Sequence, residues 1–260
     1  MPAKTYANIV IGLGETGQPL YEILKDYYPD TIGIDLKKGC LPPKDPILAC
    51  FLHICIPGGS DTFLDIVQAY ITQFDPDVTC IHSSVPVGTT RALISMTGAS
   101  IVHTPIIGKH SHMKRDMLRH PKFISYLNKE DALCAFSVFE TAGMQPQCLI
   151  GGPEVTELGK LLSTTLYTTL ISFYQEAELC SRQYGVALEQ VQRVWNTIDS
   201  NDYDTDNKFA GVVGGHCCES NVKLLLQHTR PNSPLLKALL EENEEFKEVT
   251  GLEERTRNTE

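Results

Sequence analysis

The sequence predicts an α/β protein in which a doubly wound parallel sheet is followed by a smaller, all-helical domain. In residues 1–150, short apolar runs alternate with segments whose apolar residues recur at helical spacing. Residues 154–184 read as one long helix that is apolar on more than one face, and shorter helical segments follow. Because Gly151 and Gly152 separate the two patterns, we predict a sheet domain at 1–150 and a helical domain at 151–260.

A strand, a glycine-rich turn, a helix and a second strand open the chain. The apolar run Ile9 to Ile11 leads directly into the turn GLGETG at residues 12–17, and apolar residues at helical spacing follow. A second apolar run, Thr31 to Ile34, ends in Asp35. This is the order of elements in a Rossmann-type dinucleotide site, where the turn holds a pyrophosphate and the acid binds ribose hydroxyls.

Each glycine of the turn has its own physical role. Gly12 permits the tight turn, Gly14 lets the backbone approach the pyrophosphate, and Gly17 lets the helix pack closely on the strand. The N-terminus of that helix offers N–H groups to the phosphates. Because Asp35 would repel a 2′-phosphate, we predict NAD rather than NADP as the cofactor. The predicted cofactor-binding residues of this segment are Gly12, Gly14, Glu15, Thr16, Gly17 and Asp35.

The loops after the other predicted strands should lie at the same edge of the sheet, because ligands bind at the carboxyl ends of parallel strands. These loops are residues 57–61, 83–88 and 104–110. We predict that Pro57, Ser83 and Ser84 contact the cofactor there. The alternative for Ser84 is a structural role as the cap of the helix that follows.

Composition and charge exclude several classes of protein. The formal net charge of −10 argues against a surface for nucleic acid or anionic membrane. No apolar run approaches the ~20 residues of a membrane span, and the N-terminus lacks the apolar core of a signal peptide. The nine cysteines include no CxxC pair, so we expect mostly free thiols in a reducing compartment rather than a zinc ribbon. We therefore predict a cytoplasmic protein without nucleic-acid or membrane partners.

Residues 106–121 are unusually rich in histidine, lysine and arginine. We favour a basic loop that faces an anionic substrate or a phosphate, and the alternative is a solvated surface. The histidines His110, His112 and His120 have no supporting acidic cluster, so we predict no metal site.

Four motifs follow one another along the chain: GLGETG with Asp35, HSSVPVGTT at 82–90, ELGKLLSTTLYTTLISFYQEAEL at 157–179, and GGHCC at 214–218. Together they resemble the UDP-glucose/GDP-mannose dehydrogenase family of nucleotide-sugar 6-dehydrogenases. The wider superfamily, which includes 6-phosphogluconate and β-hydroxyacid dehydrogenases, shares the glycine loop and a lysine on the long helix but not GGHC. The resemblance implies a helical domain like the C-terminal domain of 6-phosphogluconate dehydrogenase.

The resemblance also implies a four-electron oxidation of a sugar primary alcohol to a carboxylate, with two NAD molecules as acceptors. Cys217 matches the family cysteine that captures the intermediate aldehyde as a thiohemiacetal, an attack that suits a thiolate near a cation or a helix N-terminus. Lys160 matches the helix lysine, which would stabilise a developing alkoxide. Ser84 matches a strand-end Ser/Thr beside the nicotinamide. The structural alternative for Cys217 is a packed thiol in a glycine-rich turn.

The sequence departs from the family pattern at three positions. Thr164 stands where the family has an asparagine that supports the oxyanion, and Asn221 stands where it has an aspartate. Ile106 follows the strand-end Pro105, where a glutamate is usual. We keep Thr164 and Asn221 as candidate catalytic residues, although two acid/base carboxylates are replaced. The chain also ends soon after the cysteine segment, so we expect a short form without the C-terminal domain that holds the nucleotide of the sugar nucleotide.

Three functional hypotheses follow. The first is an NAD-dependent dehydrogenase that oxidises a small molecule, a sugar nucleotide or a related alcohol, with Lys160 as the electrostatic partner and Cys217 as the candidate nucleophile. The second is a two-electron hydroxyacid or alcohol dehydrogenase that needs only Lys160. The third is an NAD-binding sensor or partner subunit without turnover. In each case the apolar helix 154–184 predicts a homodimer.

Overall fold

The computed structural model describes residues 5–43, 47–200, 212–213 and 218–251. The strands in these residues are β1 (Thr5–Ile11), β2 (Ile32–Ile34), β3 (Ile47–Ile54), β4 (Val78–Ile81), β5 (Ile101–His103), β6 (Pro121–Ser125) and β7 (Gln145–Leu149). The helices are α1 (Gly17–Tyr27), α2 (Phe63–Phe74), α3 (Thr89–Thr97), α4 (Met113–Arg119), α5 (Lys129–Thr141), α6 (Glu154–Gln183), α7 (Leu188–Ser200), α8 (Cys218–His228) and α9 (Pro234–Thr250). The chain forms two compact units, Met1–Thr164 and Thr165–Glu260.

A seven-stranded sheet in the order β2-β1-β3-β4-β5-β6-β7 forms the centre of the first unit. Neighbouring strands from β2 to β5 are parallel. The chain places β2 on one side of β1 and then β3 on the other, so the strand order reverses between β1 and β3. Open sheets of this kind bind ligands at such a switch point. The predicted α/β class with a doubly wound, Rossmann-type sheet is confirmed.

The last two strands differ from the parallel arrangement that the sequence predicts. β6 pairs antiparallel with β5 at His103 and Ser125, and β7 runs parallel to β6. The connection from β5 to β6 carries only one turn of 3₁₀ helix and the short α4. The chain therefore returns beside β5, because an antiparallel neighbour needs no crossover.

The central strands β1, β3, β4 and β5 contribute buried residues to both faces of the sheet, which explains their mostly apolar sequences. On one face, Val10 of β1 belongs to a cluster with Leu24 of α1 and Phe139 of α5. On the other face, Ile9 belongs to a cluster with Val67 of α2. The sheet is therefore the middle layer between two layers of helices.

The described residues of the second unit lie mainly in the rest of α6 and in the helices α7, α8 and α9. Ser233 caps α9, since its hydroxyl accepts from the Leu236 N–H at 3.2 Å. Asn243 of α9 exchanges two hydrogen bonds with the backbone of Val213, at 2.8 and 2.9 Å. None of the described helices combines the length and the apolar character that a membrane span needs.

Candidate functional site

A cleft of about 960 Å³ lies at the carboxyl ends of the parallel strands in the first unit. Its lining comes mainly from the loops that follow β1 to β5, with further residues from α2, from the start of α4 and from the first part of α6. The sequence-predicted residues that line it are Gly12, Gly14, Glu15, Thr16, Asp35, Pro57, Ser83, Ser84, Lys160 and Thr164. The cleft therefore brings most of the predicted site together at the switch point of the sheet.

The glycine turn has the geometry that its sequence predicts. Gly12 has a φ of +86°, and its N–H donates to the Ile34 carbonyl at 2.8 Å. A Cβ on Gly17 would lie 1.7 Å from the Gly12 oxygen, so only a glycine lets α1 start this close to β1. A Cβ on Gly14 would meet no atom within 4 Å, so the backbone at Gly14 is accessible from the cleft.

Asp35 ties the end of β2 to the glycine turn. Its Oδ2 accepts from the Leu13 N–H at 2.9 Å, and its Oδ1 accepts from the Lys37 and Lys38 N–H groups at 3.0 and 3.2 Å. These bonds, that from Leu13 foremost, hold the pKa of Asp35 below its ordinary value. Since a carboxylate accepts about four hydrogen bonds, one direction remains open for a ribose hydroxyl.

The loops after β3 and β4 pack directly against each other. The Ser83 hydroxyl donates to the Ile56 carbonyl, and a Cβ on Gly58 would lie 2.3 Å from the Ser84 oxygen. Ser83 therefore joins the two loops, while the exposed Ser84 lines the cleft. The cap residue of α3 is Gly88, so Ser84 does not have the capping role that was its alternative.

The N-terminus of α3 is bound by a carboxylate from another helix. The fully buried Glu157 of α6 accepts from the Gly88 N–H at 2.6 Å and from the Thr90 N–H at 2.8 Å. A negative charge is favoured at this end of a helix because the helix dipole is positive there. Lys160 follows Glu157 by three residues, so the two side chains lie on the same side of α6. The bond to α3 thereby orients Lys160 toward the cleft.

A buried polar network fixes the first turn of α6 against the ends of β5 and β6. His103 Nδ1 lies 2.6 Å from Thr156 Oγ1, and His103 Nε2 lies 3.2 Å from the Ser83 carbonyl oxygen. The hydroxyls of Thr156 and Ser125 are also hydrogen-bonded to each other. Burial lowers the pKa of His103 to about 4, against the opposing effects of the Ser83 carbonyl and the Glu157 charge. The ring is therefore neutral near pH 7.

Lys160 and Thr164 both line the cleft, but their side chains have different hydrogen-bond partners. Lys160 Nζ donates to the Ile106 carbonyl at 3.0 Å, and burial lowers the pKa of this amine. Thr164 Oγ1 donates to carbonyls of its own helix, those of Lys160 at 3.1 Å and Leu161 at 2.9 Å. Lys160 therefore presents an ammonium to the cleft, whereas the Thr164 hydroxyl proton is directed at the backbone of α6.

The side chains of two predicted catalytic residues, Cys217 and Asn221, are not among those that the structure describes. Cys217 lies outside the residues that the structure describes. Asn221 lies on α8, and its side chain is not among those described. Their roles stay predictions.

The basic segment 106–121 pairs two of its cations within the chain. Lys114 Nζ lies 3.2 Å from an oxygen of Asp26 and 3.8 Å from one of Glu22, both on α1. Arg115 lies 3.0 Å from its neighbour Asp116. These pairs favour the solvated surface over the anion-binding loop that the composition predicts.

Two buried histidines and a buried cysteine form a group at the inner wall of the cleft, which His82 lines. His53, Cys80 and His82 bring their ring nitrogens and sulfur within 4.8 Å of one another. His53 Nδ1 and His82 Nε2 are 3.0 Å apart and share a hydrogen bond, while Lys122 Nζ lies 3.0 Å from His82 Nδ1. Because an adjacent ammonium repels a cation, this arrangement does not fit a metal ion.

Sequence reasoning missed the groups that hold the site in place. They are Lys122, His103, Thr156 and Glu157. The available signal was an ionisable residue inside an apolar strand-like run, as with His53 in ACFLHICI and Lys122 in KFISYL. Such groups are rarely buried without hydrogen-bond partners, so their positions mark polar networks.

The residues of the cleft are suited to a dinucleotide. The Gly14 backbone is open to the cleft. Thr16 is the N-cap residue of α1, and its side chain makes no capping hydrogen bond to that helix. Asp35 keeps one acceptor direction, and Phe63 and Ile66 supply apolar lining of the kind that a base ring requires.

The fold and this cleft define the class of the protein, a Rossmann-type α/β protein with a helical second unit. GDP-mannose dehydrogenase from Pseudomonas aeruginosa has a TM-score of 0.72 and 15% identity, over 95% of this chain and 71% of that one. The 3-hydroxyisobutyrate dehydrogenase of Mycobacterium tuberculosis has a TM-score of 0.59 and 13% identity, over 95% of this chain and 94% of that one. At these identities the likeness establishes the fold.

The sequence comparisons show a similarity to one family. Residues 154–245 match the model of the UDP-glucose/GDP-mannose dehydrogenase family, central domain. A UDP-N-acetyl-D-mannosamine dehydrogenase of Pyrococcus horikoshii is 22% identical over 289 residues, which cover 90% of this chain and 67% of that protein. The chain thus spans about two thirds of the length of this relative. The predicted resemblance to the UDP-glucose/GDP-mannose dehydrogenase family is confirmed.

Proposed function

We propose that the chain is an NAD-dependent oxidoreductase that removes a hydride from a carbon bearing a hydroxyl group. The observation that carries this proposal is the shared cleft, which the glycine turn, Asp35, Ser84 and Lys160 all line. These segments are far apart in the sequence, and each supplies a group that dinucleotide binding or alcohol oxidation requires. The substrate is a small molecule, a sugar nucleotide or a related alcohol, as the names of the relatives suggest.

Bound NAD⁺ would supply the hydride acceptor. Gly12, Gly14 and Gly17, with Glu15 and Thr16 at the start of α1, would hold its pyrophosphate at the helix N-terminus. The ionised Asp35 would accept from a ribose hydroxyl and would repel the extra phosphate of NADP. Pro57, Ser83 and Ser84 would contact the cofactor from the adjoining loops.

Lys160 is the catalytic residue in this proposal. Its ammonium would stabilise the negative charge that develops on the substrate oxygen as the hydroxyl proton passes to solvent. This stabilisation is effective because the half-buried ammonium is already fixed on the Ile106 carbonyl and need not reorganise during the reaction. Ser84, on the loop that follows β4, positions the substrate hydroxyl or a water molecule.

Cys217 extends the same chemistry to a second oxidation. Its thiolate would attack the aldehyde carbon, forming a C–S bond and turning the carbonyl into a hydroxyl group. A second hydride transfer, to a second NAD⁺ and with loss of the hydroxyl proton to solvent, would leave a thioester. Water would hydrolyse this thioester to the carboxylate and release the Cys217 thiol. Thr164 and Asn221 are proposed to assist in this half of the reaction, at positions where the family carries an asparagine and an aspartate.

The second candidate is a two-electron hydroxyacid or alcohol dehydrogenase that uses Lys160 alone. Two observations favour it. Ile106 provides only its backbone carbonyl at the turn where the family usually has a glutamate, and the Thr164 hydroxyl donates to its own helix. An NAD-binding sensor or partner subunit is the form that the protein would take if neither oxidation occurs.

NADH formation tests these alternatives. Wild type and the variants Lys160→Met, Cys217→Ser and Cys218→Ser would be assayed with sugar nucleotides and with 3-hydroxyacids. We expect Lys160→Met to lower turnover about 100-fold, the usual effect of removing one oxyanion-stabilising group. We expect Cys217→Ser, but not its neighbour control Cys218→Ser, to stop carboxylate formation. Full carboxylate formation by Cys217→Ser would exclude the covalent step, and NADH formation by no substrate would exclude both enzymatic readings.

We also propose a homodimer that forms through α6, within helix 154–184. The described residues of this helix include a run of exposed leucines and one phenylalanine: Leu158, Leu162, Leu166, Leu170 and Phe173. Exposed apolar surface of this extent is favourable to bury against a second copy. Light scattering should report a dimer that Leu166→Glu dissociates and that the α9 control Leu239→Glu leaves intact. We place the protein in the cytoplasm, in keeping with seven described cysteines that are all free thiols.

A further inference from the structure

Lys122 is a buried lysine whose partners are all uncharged. It lies on β6 with an exposed fraction of 4%. Its Nζ lies 2.6 Å from the Thr104 carbonyl oxygen, 3.1 Å from that of Pro105, and 3.0 Å from His82 Nδ1. None of these acceptors is a carboxylate, although a buried charge without a counter-charge is costly. An ammonium has three N–H donors, and these three acceptors use all of them.

The carbonyls that Lys122 binds belong to the turn that also holds Lys160. Thr104 and Pro105 accept from Lys122, and the next residue, Ile106, accepts from Lys160 Nζ at 3.0 Å. Three consecutive carbonyls at the end of β5 therefore bind two ammonium groups. One of these ammonium groups is fully buried, and the other lies at the cleft.

We propose that Lys122 is a positioning residue, which holds the turn 104–106 in the conformation that fixes Lys160 at the cleft. Lys122 does so without touching the substrate, because Lys160 contacts the last carbonyl of a turn whose first two carbonyls Lys122 holds. This role rests on the one proposed for Lys160. Its test below uses neither cofactor nor substrate, so the two proposals can fail separately.

The surroundings of Lys122 explain why its charge is sensitive to Lys160. Burial lowers the pKa of Lys122 to about 7, two neighbouring cysteines oppose this, and the Lys160 charge lowers the pKa further. The titratable groups that face Lys122 from β3, β4, β5 and α6 are His53, Cys55, Cys80, His82, His103 and Lys160.

The protonation state of Lys122 determines where His82 and His53 carry their protons. When Lys122 is an ammonium, His82 Nδ1 accepts from it, so His82 donates from Nε2 to His53 Nδ1 across their 3.0 Å contact. When Lys122 is a neutral amine, its two N–H groups serve the two carbonyls. His82 Nδ1 then carries a proton, which the Lys122 lone pair and the Thr104 carbonyl oxygen, 2.9 Å from Nδ1, both accept. The hydrogen bond between the two rings then reverses, which gives Lys122 a spectroscopic signature.

The first experiment measures the pKa of Lys160 by competitive acylation over a range of pH, followed by peptide mass spectrometry. The variants are Lys122→Met and Lys122→Arg, and Lys114→Met on the surface of α4 is the control. We expect the pKa of Lys160 to fall in Lys122→Met, because the Ile106 carbonyl is no longer held against its ammonium, with a roughly tenfold larger reactive fraction at a fixed pH for each unit of fall. Lys122→Arg should restore the wild-type pKa of Lys160, and Lys114→Met should leave that pKa unchanged. An unchanged or raised Lys160 pKa in folded Lys122→Met would overturn the proposal.

The second experiment leaves Lys122 in place, in case Lys122→Met does not fold. The ¹⁵N shifts of the His53 and His82 rings report the reversal of their hydrogen bond as Lys122 titrates. In wild type we expect the midpoint near the Lys122 pKa of about 7. In Lys160→Met the midpoint should move to higher pH, because a repelling charge has gone. The same midpoint in both proteins, or no reversal at all, would show that the turn does not bring the two ammonium groups together and would overturn the proposal.

Discussion

The cleft has two halves, one that we propose binds the cofactor and one that we propose binds the substrate, and they are held in place by different means. The cofactor half, residues 12–17 with Asp35, is held by backbone conformation and backbone hydrogen bonds. The substrate half, which is Ser84, the turn 104–106 and Lys160, is held by buried ionisable side chains. The first half therefore depends on the absence of side chains at its glycines, and the second depends on the charge states of groups beneath it.

This difference decides how each half responds to change. A Cβ in the wrong place disrupts the cofactor half by overlap, whatever the pH. A proton gained or lost by a buried residue disrupts the substrate half with no change of sequence. Stability and ligand measurements on matched variants can therefore test the distinction.

Gly17→Ala should have the largest effect, because its Cβ would lie 1.7 Å from the Gly12 oxygen. We expect α1 to be pushed from the turn, with a loss of about 3 kcal/mol in the free energy of unfolding, the upper part of the range for overpacking. Gly14→Ala is the matched control, since its Cβ would meet no atom within 4 Å. Urea unfolding of both variants checks this, and equal stabilities would contradict the account of the cofactor half.

Glu157→Gln should come next, because it removes the carboxylate that binds two N–H groups of α3. A buried group left unsatisfied costs about 2 kcal/mol, and we expect a loss of that size. Glu154→Gln is the control one turn earlier, where the ion pair with Arg91 is exposed and contributes little. If Glu154→Gln lowers the free energy of unfolding as much as Glu157→Gln does, the Glu157 carboxylate at the N-terminus of α3 does not fix the substrate half.

Acid should weaken the fold through histidines that are buried in the neutral form. Burial lowers the pKa of His103 to about 4 and that of His53 to about 3. Below the ordinary histidine pKa of ~6.5 the unfolded chain binds protons that the folded chain does not, so stability should fall as the pH drops from ~6.5 toward ~4, by on the order of 2 kcal/mol.

The histidine effect can be isolated by substitution. Urea unfolding over this pH range should give a flatter profile for His103→Gln than for His112→Gln, which removes an exposed histidine. Identical profiles for the two variants would show that the His103 ring does not titrate with folding.

The sequence predicts the cofactor half far better than the substrate half, and the reason is physical. Gly12, Gly14 and Gly17 act through local backbone geometry, so their spacing alone describes the turn. Lys122 and His103 act through contacts with residues distant in the sequence, such as Thr104 and Thr156. The periodicity of apolar residues does not show which distant residues are in contact. A lysine in an apolar strand-like run indicates only that the lysine has a buried hydrogen-bond partner.

The same limit explains where the fold prediction was incomplete. The alternation of strands and helices indicated the sheet and the long helix α6, and both are found. The antiparallel return of β6 depends on the short connection 104–120, whose histidines and basic residues suggested a binding loop instead. A pattern of residue types does not encode the direction in which a strand joins a sheet.

The central claim, that this cleft holds NAD with Asp35 at the ribose, is tested most directly by titrating the protein with NADH and NADPH in parallel. We predict saturable binding of NADH, weaker binding of NADPH, and a smaller difference between them in Asp35→Ala, because the charge that repels the 2′-phosphate is then gone. Binding of neither nucleotide, or a preference for NADPH by the wild type, would contradict the account.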